Sequence, residues 1–117
     1  MIAIIDSGGA NIASVKFALE RLGAESVLTV DAEEIAAADR VLLPGVGAAP
    51  VAMQTLKDAQ LIKPIQKLRQ PVLGICLGMQ LLFGRSAEGD TDLLGIIDGD
   101  CRAFPPADGR SVPHMGW

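Results

Sequence analysis

Residues 72–83, VLGICLGMQLLF, constrain this chain more than any other stretch. An apolar strand pattern passes into a helical one without a connecting loop, and Cys76 sits at the joint with glycines two residues to either side. A chain makes that passage only through a sharp turn, where one residue takes an unfavourable backbone conformation and its neighbours let strand and helix close up. Gly74 and Gly78 suit the second task and Cys76 the first, in the layout of a nucleophile elbow with cysteine in place of serine. A sulfur there also faces the start of the helix over residues 77–83, where the dipole and free N–H groups favour a thiolate. The spacing equally fits a plainer reading, a structural cysteine packed as a small core hydrophobe between glycines.

The rest of the chain reads as strands and helices in alternation. Residues 2–6 form a buried strand ending at Ser7-Gly8-Gly9, and Asn11 caps a helix whose Ile12, Val15, Leu19 and Leu22 recur at helical spacing until Gly23 stops it. Residues 26–30 are a second strand, followed by a short helix through Ala38 that Asp31 and Glu34 can cap as a box. Residues 40–43 are a third strand, stopped by Pro44 and opening into GVGAA; helices follow from Pro50 and through Pro64 to Arg69. Short connections between alternating elements call for an α/β, doubly wound, mostly parallel, flavodoxin-like sheet with helices on both faces. Further on, SAEGDTD reads as a loop, residues 96–104 as strand-like and PPADGR as a turn. The apolar finish at Met-Gly-Trp, with no cap or polar tail, reads as the N-terminal part of a longer single domain, with the sheet incomplete on its C-terminal side.

Composition narrows the function classes. Net charge is −4 and no more than two basic residues cluster, so a nucleic-acid footprint is missing and an anionic membrane is disfavoured. The longest apolar run is broken by Pro and Gly, short of a membrane span, and the start has no basic leader. Two cysteines, not in a CxxC pair and not at metal-ligand spacing, fit free thiols in a reducing cytoplasm. Aromatic residues are only 3 %, so the core must be built from aliphatic side chains and methionine.

The second chemical candidate is LLPGVGAA, residues 42–49, which also leaves the C-terminal end of a strand. Loops at that edge of a doubly wound sheet converge on one crevice. N–H groups around Val46 and Gly47, with that of Leu77, can then hold an oxyanion beside Cys76; a turn needed only for chain reversal is the other reading. A nucleotide loop is excluded, since neither GxxxxGK[ST] nor GxGxxG is present. His114, the only histidine, has no fixed relation to Cys76 and reads as structural or interfacial more readily than as the base a thiol needs. Cys101 reads as packing, the acidic residues Glu88, Asp90, Asp92, Asp98 and Asp100 as solvated, and Ser7 as either a crevice hydroxyl or turn chemistry.

These stretches together resemble the class I, triad glutamine amidotransferases. IIDSGGANIASV, LPGVGAA, PVLGICLGMQLLF, DLLGIIDG and PHMGW carry the likeness along the whole chain. LGICLGMQ matches the triad enzymes broadly, whereas DSGGAN and PHMGW are similar to the glutamine amidotransferase subunits of imidazole glycerol phosphate synthase in histidine biosynthesis. The resemblance implies that Cys76 is the nucleophile on the side-chain amide of glutamine and that Gly45 and Gln80 contact that substrate. It implies that the Val46–Gly47 peptide and Leu77 form the oxyanion hole, in a glycine loop that reorganises on activation. Asn11, His114 and Trp117 correspond to positions toward a (β/α)₈-barrel cyclase subunit, which receives the ammonia and makes imidazole glycerol phosphate and an aminoimidazole carboxamide nucleotide. No cofactor or metal is implied.

The family's catalytic His and Glu lie beyond the stretch these 117 residues match, so residues 1–117 alone are expected to be nearly inactive and prone to self-association. Ala49 stands where many relatives of this kind carry an aromatic residue. Two rival readings are another elbow-cysteine α/β hydrolase and a non-catalytic flavodoxin-like binding domain.

Overall fold

A computed structural model describes residues 1–9, 11–105, 109 and 114. In chain order its elements are β1 (Ile2–Ile5), α1 (Ile12–Arg21), β2 (Ser26–Thr29), α2 (Ala32–Ala37), β3 (Arg40–Gly45), α3 (Ala49–Asp58), α4 (Ile62–Gln66), β4 (Val72–Cys76) and α5 (Leu77–Leu81). β5 (Arg85–Ser86), a 3₁₀ turn at Glu88–Asp90, β6 (Thr91–Asp92) and β7 (Asp100–Cys101) follow. The first four strands make one parallel sheet in the order β2-β1-β3-β4, and the last three make a small separate sheet in the order β6-β5-β7.

Strand alternation sorts the side chains into two layers. Ala3, Ile5, Val41 and Leu43 point to one face, where they join Ile35 of α2, Ala52 and Leu56 of α3, Ile65 of α4 and Leu81 of α5 in the main core. Ile4 faces the other way and is fully buried, and Leu19 of α1 is likewise buried outside that core, which puts α1 on the second face. In register across this face run Leu28, Ile4, Leu42 and Leu73. α1 covers the middle of that row, while Leu28 is 39 % and Leu73 59 % exposed. Helices thus lie on both faces as the alternating pattern predicts, but the second face is only partly covered.

Local chemistry explains most boundaries. Asn11 caps α1 by accepting from the Ser14 N–H at 3.4 Å, and Gly23, at φ +68°, takes the left-handed position just past the C-cap. Asp31 accepts from the Glu33 and Glu34 N–H groups, yet the reciprocal half of the anticipated box is filled differently: the Asp31 N–H donates to Thr29 Oγ1 at 2.9 Å.

Three expectations need correction. Pro44 does not stop β3, which continues to Gly45. Val41 donates toward the β4 side, to Pro71 O, so by alternation Pro44 directs its missing N–H to the β1 side, where the ladder has already ended at Leu42. SAEGDTD is not a plain loop, for it contains part of β5, the 3₁₀ turn and β6. The strand-like run after Gly95 pairs only at Asp100 and Cys101; Gly95 and Gly99 have φ +66° and +135°, and the Ile96 and Ile97 N–H groups both turn back to Leu82 O.

Candidate functional site

The site is assembled where β3 and β4 end together. Their last paired residues are Gly45 and Cys76. Cys76 has φ +54° and ψ −122°, a strained conformation for a non-glycine residue, and it serves at once as the end of β4 and the N-cap of α5. The two flanking glycines account for the joint. A Cβ on Gly78 would fall 1.7 Å from the Leu43 carbonyl oxygen, and one on Gly74 would fall 2.5 Å from Met79 Cα. Helix α5 therefore rests directly on the backbone of β3, with Leu77 and Leu81 buried beneath it and Cys76 exposed. Here the elbow geometry read from Gly-x-Cys-x-Gly is observed.

The glycine loop leaves β3 immediately beside this cysteine. Gly45 is buried, Val46 is 48 % exposed, and Gly47 has φ +98° with nothing within 4 Å of where a Cβ would sit. A loop of this kind has room to rotate its Val46–Gly47 peptide, and both of its ends are held by remote side chains. Upstream, Ser7 is 1 % exposed and donates its hydroxyl to Pro44 O at 2.8 Å. Downstream, the Ala49 N–H at the start of α3 donates to Glu88 Oε1 at 2.8 Å. A carboxylate at that position also complements the positive end of the ten-residue α3. Glu88 is not a bystander in a solvated loop. No spacing in the sequence points to this contact, which joins positions 39 residues apart.

Gln80 is half-buried on α5 and lines a cleft of about 450 Å³ with Ser86, Glu88, Cys101 and Arg102. Cys76, the N-cap of the same short helix, is not among that cleft's lining residues. Cys101 is the packing thiol anticipated: half-buried, its Sγ lies 3.6 Å from Gln80 O, and burial, reinforced by the Asp100 carboxylate, pushes its pKa up. Asn11 is exposed and occupied as a helix cap. His114 is exposed, its ring edge-on to Phe104 at 5.6 Å. Trp117 lies outside the described residues. Among the described residues no group of three or more His, Cys, Asp or Glu is placed to hold a metal ion, and no helix is long and apolar enough to cross a membrane.

A strained cysteine between strand and helix, with a glycine loop on the adjoining parallel strand, has the layout of a nucleophile elbow, and the sequence as a whole places the chain in a family. Residues 3–117 match the family model described as Glutamine amidotransferase class-I, and the chain belongs to that family. Within it, the chain is 57 % identical over 116 residues to imidazole glycerol phosphate synthase subunit HisH of Xanthomonas campestris pv. campestris. It is 53 % identical over the same length to the subunits of that name from Xanthomonas axonopodis pv. citri and Xylella fastidiosa. These matches cover 99 % of this chain and 58 % of each relative, so the chain spans under two thirds of the length of the proteins it resembles.

Proposed function

We propose that this chain carries the nucleophile half of a glutaminase, and that the whole protein releases ammonia from glutamine for a cyclase subunit of imidazole glycerol phosphate synthase. The observation that supports this most is the positive φ of Cys76 opposite Gly45, because it sets an exposed thiol at the mouth of the glycine loop. In this reading the Cys76 thiolate adds to the side-chain carboxamide carbon of glutamine, and the π electrons of the carbonyl move to its oxygen. N–H groups of the Val46–Gly47 peptide and of Leu77 hold that oxyanion. Collapse of the adduct expels ammonia as a protonated base gives up its proton, leaving a glutamyl thioester on Cys76. Water, activated by the same base, then releases glutamate and frees the thiol.

Gly45 and Gln80 are the proposed glutamine contacts. The base is proposed to come from outside residues 1–117, His114 being the histidine of PHMGW and engaged with Phe104. The partner is proposed to be a (β/α)₈ barrel meeting the surface that holds Asn11, His114 and Trp117, in a cytoplasmic complex of the histidine pathway. The relatives' subunit name supports the assembly.

The test is site mapping after treatment with a chloromethyl ketone analogue of glutamine. Label on Cys76, protected by glutamine and absent in Cys76→Ser, supports the glutaminase reading. Label shared evenly with Cys101, or unaffected by glutamine, overturns it and favours a non-catalytic domain. Ammonia release from glutamine, assayed with the barrel subunit present, tests the larger claim about the complex.

A further inference from the structure

We infer that Ser7 is a positioning residue for the glycine loop, acting through the Pro44 carbonyl to hold the Val46–Gly47 peptide in register with Cys76. This rests on the glutaminase reading above and adds to it a residue on a different strand-to-helix connection. The observation is a substitution of side chain for backbone. β1 and β3 pair only as far as Ile4 and Leu42, so beyond that rung the β1-facing side of β3 has no strand partner. Pro44 points its backbone to that side, with no N–H to offer and a carbonyl to satisfy. The Ser7 hydroxyl supplies the missing donor at 2.8 Å, from a site that is 1 % exposed, and so continues the β1–β3 connection past the end of the ladder.

The surrounding turn is built to hold that hydroxyl in place. The Gly8 N–H donates to Asp6 Oδ1 at 3.1 Å, and Gly8 and Gly9 both adopt positive φ, +78° and +66°. A Cβ on Gly9 would come within 3.4 Å of Val46 O, so the first connection leans on the glycine loop as well as bonding to its stem. Ser7, Gly8, Gly9, Val46 and Gly47 line one cavity of about 350 Å³ between the two loops. Removing the hydroxyl leaves a buried carbonyl without its donor and loosens, on its β1 side, the residue just before Gly45, the rung opposite Cys76. The peptide that would hold the oxyanion then loses its fixed stem, while the cysteine itself keeps its elbow.

This predicts a selective defect. Iodoacetamide alkylates a thiolate by direct displacement at a saturated carbon and needs no oxyanion donor. The chloromethyl ketone analogue of glutamine is attacked at its carbonyl to give a thiohemiketal oxyanion; sulfur then shifts to the adjacent methylene as chloride leaves, and the oxyanion re-forms the carbonyl as the first S–C bond breaks. The ratio of the two second-order rate constants at Cys76 therefore reads the loop and not the thiol. Losing an oxyanion donor outright costs about 10²–10³-fold; for Ser7→Ala, which misplaces one, the ratio is expected to fall about tenfold with the iodoacetamide rate unchanged.

Ser7→Thr and Ser7→Val have the same shape with and without a hydroxyl, and they keep the comparison usable if alanine destabilises the fold. The threonine variant should retain the ratio and the valine variant lose it. A ratio unchanged in Ser7→Ala, or equal in the threonine and valine variants, overturns the role of Ser7. Absence of any preference for the ketone in the unaltered chain instead removes the glutaminase reading on which it rests.

Discussion

Substituting Gly78 by alanine tests whether contact between α5 and β3 backbones holds the elbow. The new Cβ would lie 1.7 Å from Leu43 O, 2.6 Å from the Leu43 carbonyl carbon and 3.1 Å from that of Pro44. A carbon and a carbonyl oxygen rest at about 3.3 Å or more, so α5 must retreat by roughly 1.5 Å. Forcing a group into a packed site costs about 1–3 kcal/mol by itself. The retreat also unseats Leu77 and Leu81, now 6 % and 0 % exposed, from the main core. Each such side chain contributes about 1.5–3 kcal/mol when fully buried, and losing a part of two of them adds about 1–2 kcal/mol.

The total, about 2–5 kcal/mol, is a large fraction of the 5–15 kcal/mol that roughly bounds the stability of a domain. In urea unfolding followed by far-UV circular dichroism, the midpoint should fall by about 1–3 M if m is about 1.5 kcal/mol/M. Gly23→Ala is the matched control: φ is +68° and nothing lies within 4 Å, so only left-handed strain of about 1–2 kcal/mol remains. If Gly78→Ala costs no more than Gly23→Ala, close backbone approach is not what sets the joint.

Other outcomes follow from neighbouring contacts. Glu88→Gln keeps an acceptor for the Ala49 N–H but removes the charge facing α3, and should lower stability by about 0.3–1 kcal/mol; Glu88→Ala should cost more, and equal urea midpoints for the two would refute the anchor. Cys101 has a raised pKa, so the fold favours its neutral thiol, and that stabilisation is full below the ordinary thiol range and lost as pH rises through the raised value. Its alkylation should accordingly lag an unstructured thiol peptide at pH 8.5, and Cys101→Ala should flatten the alkaline fall in stability; equal rates would contradict this. β4 has no partner on its outer edge among the described residues, and Leu73 is 59 % exposed there, so the chain should self-associate at tens of micromolar and Leu73→Lys should suppress it. Sedimentation velocity showing only monomer for the unaltered chain would refute that prediction.

How far the sequence revealed this structure differs from one part to the next. The elbow was legible because its steric requirement is local: Gly74, Cys76 and Gly78 lie within five positions, and each satisfies a condition set by its neighbours. Caps at Asn11 and Asp31 were legible for the same reason. Pro44 misled because proline breaks a strand only where its N–H is needed, and which side of β3 lacks a partner depends on where β1 ends. Ser7 was legible as a crevice hydroxyl, but its contact with Pro44 and that of Glu88 with Ala49 were hidden by separations of 37 and 39 residues, for which no periodicity exists to read. Residues 96–99 looked strand-like by composition, but two positive-φ glycines and the shared Leu82 acceptor turned them away from any ladder.

Pairing of Gly45 with Cys76 makes the nucleophile's position a matter of counting along two strands. A residue added at the exposed turn around Gln60 lengthens only the path between β3 and β4 and leaves each rung opposite its present partner. A residue added or removed between positions 41 and 45 has another effect. It turns Val41 or Leu43 out of the core and sets Cys76 against a side chain where the α5 backbone needs a glycine. Chain length is therefore free to drift in the connection but not at the two strand ends, and libraries of this domain should tolerate insertions near Gln60 and reject them at the elbow.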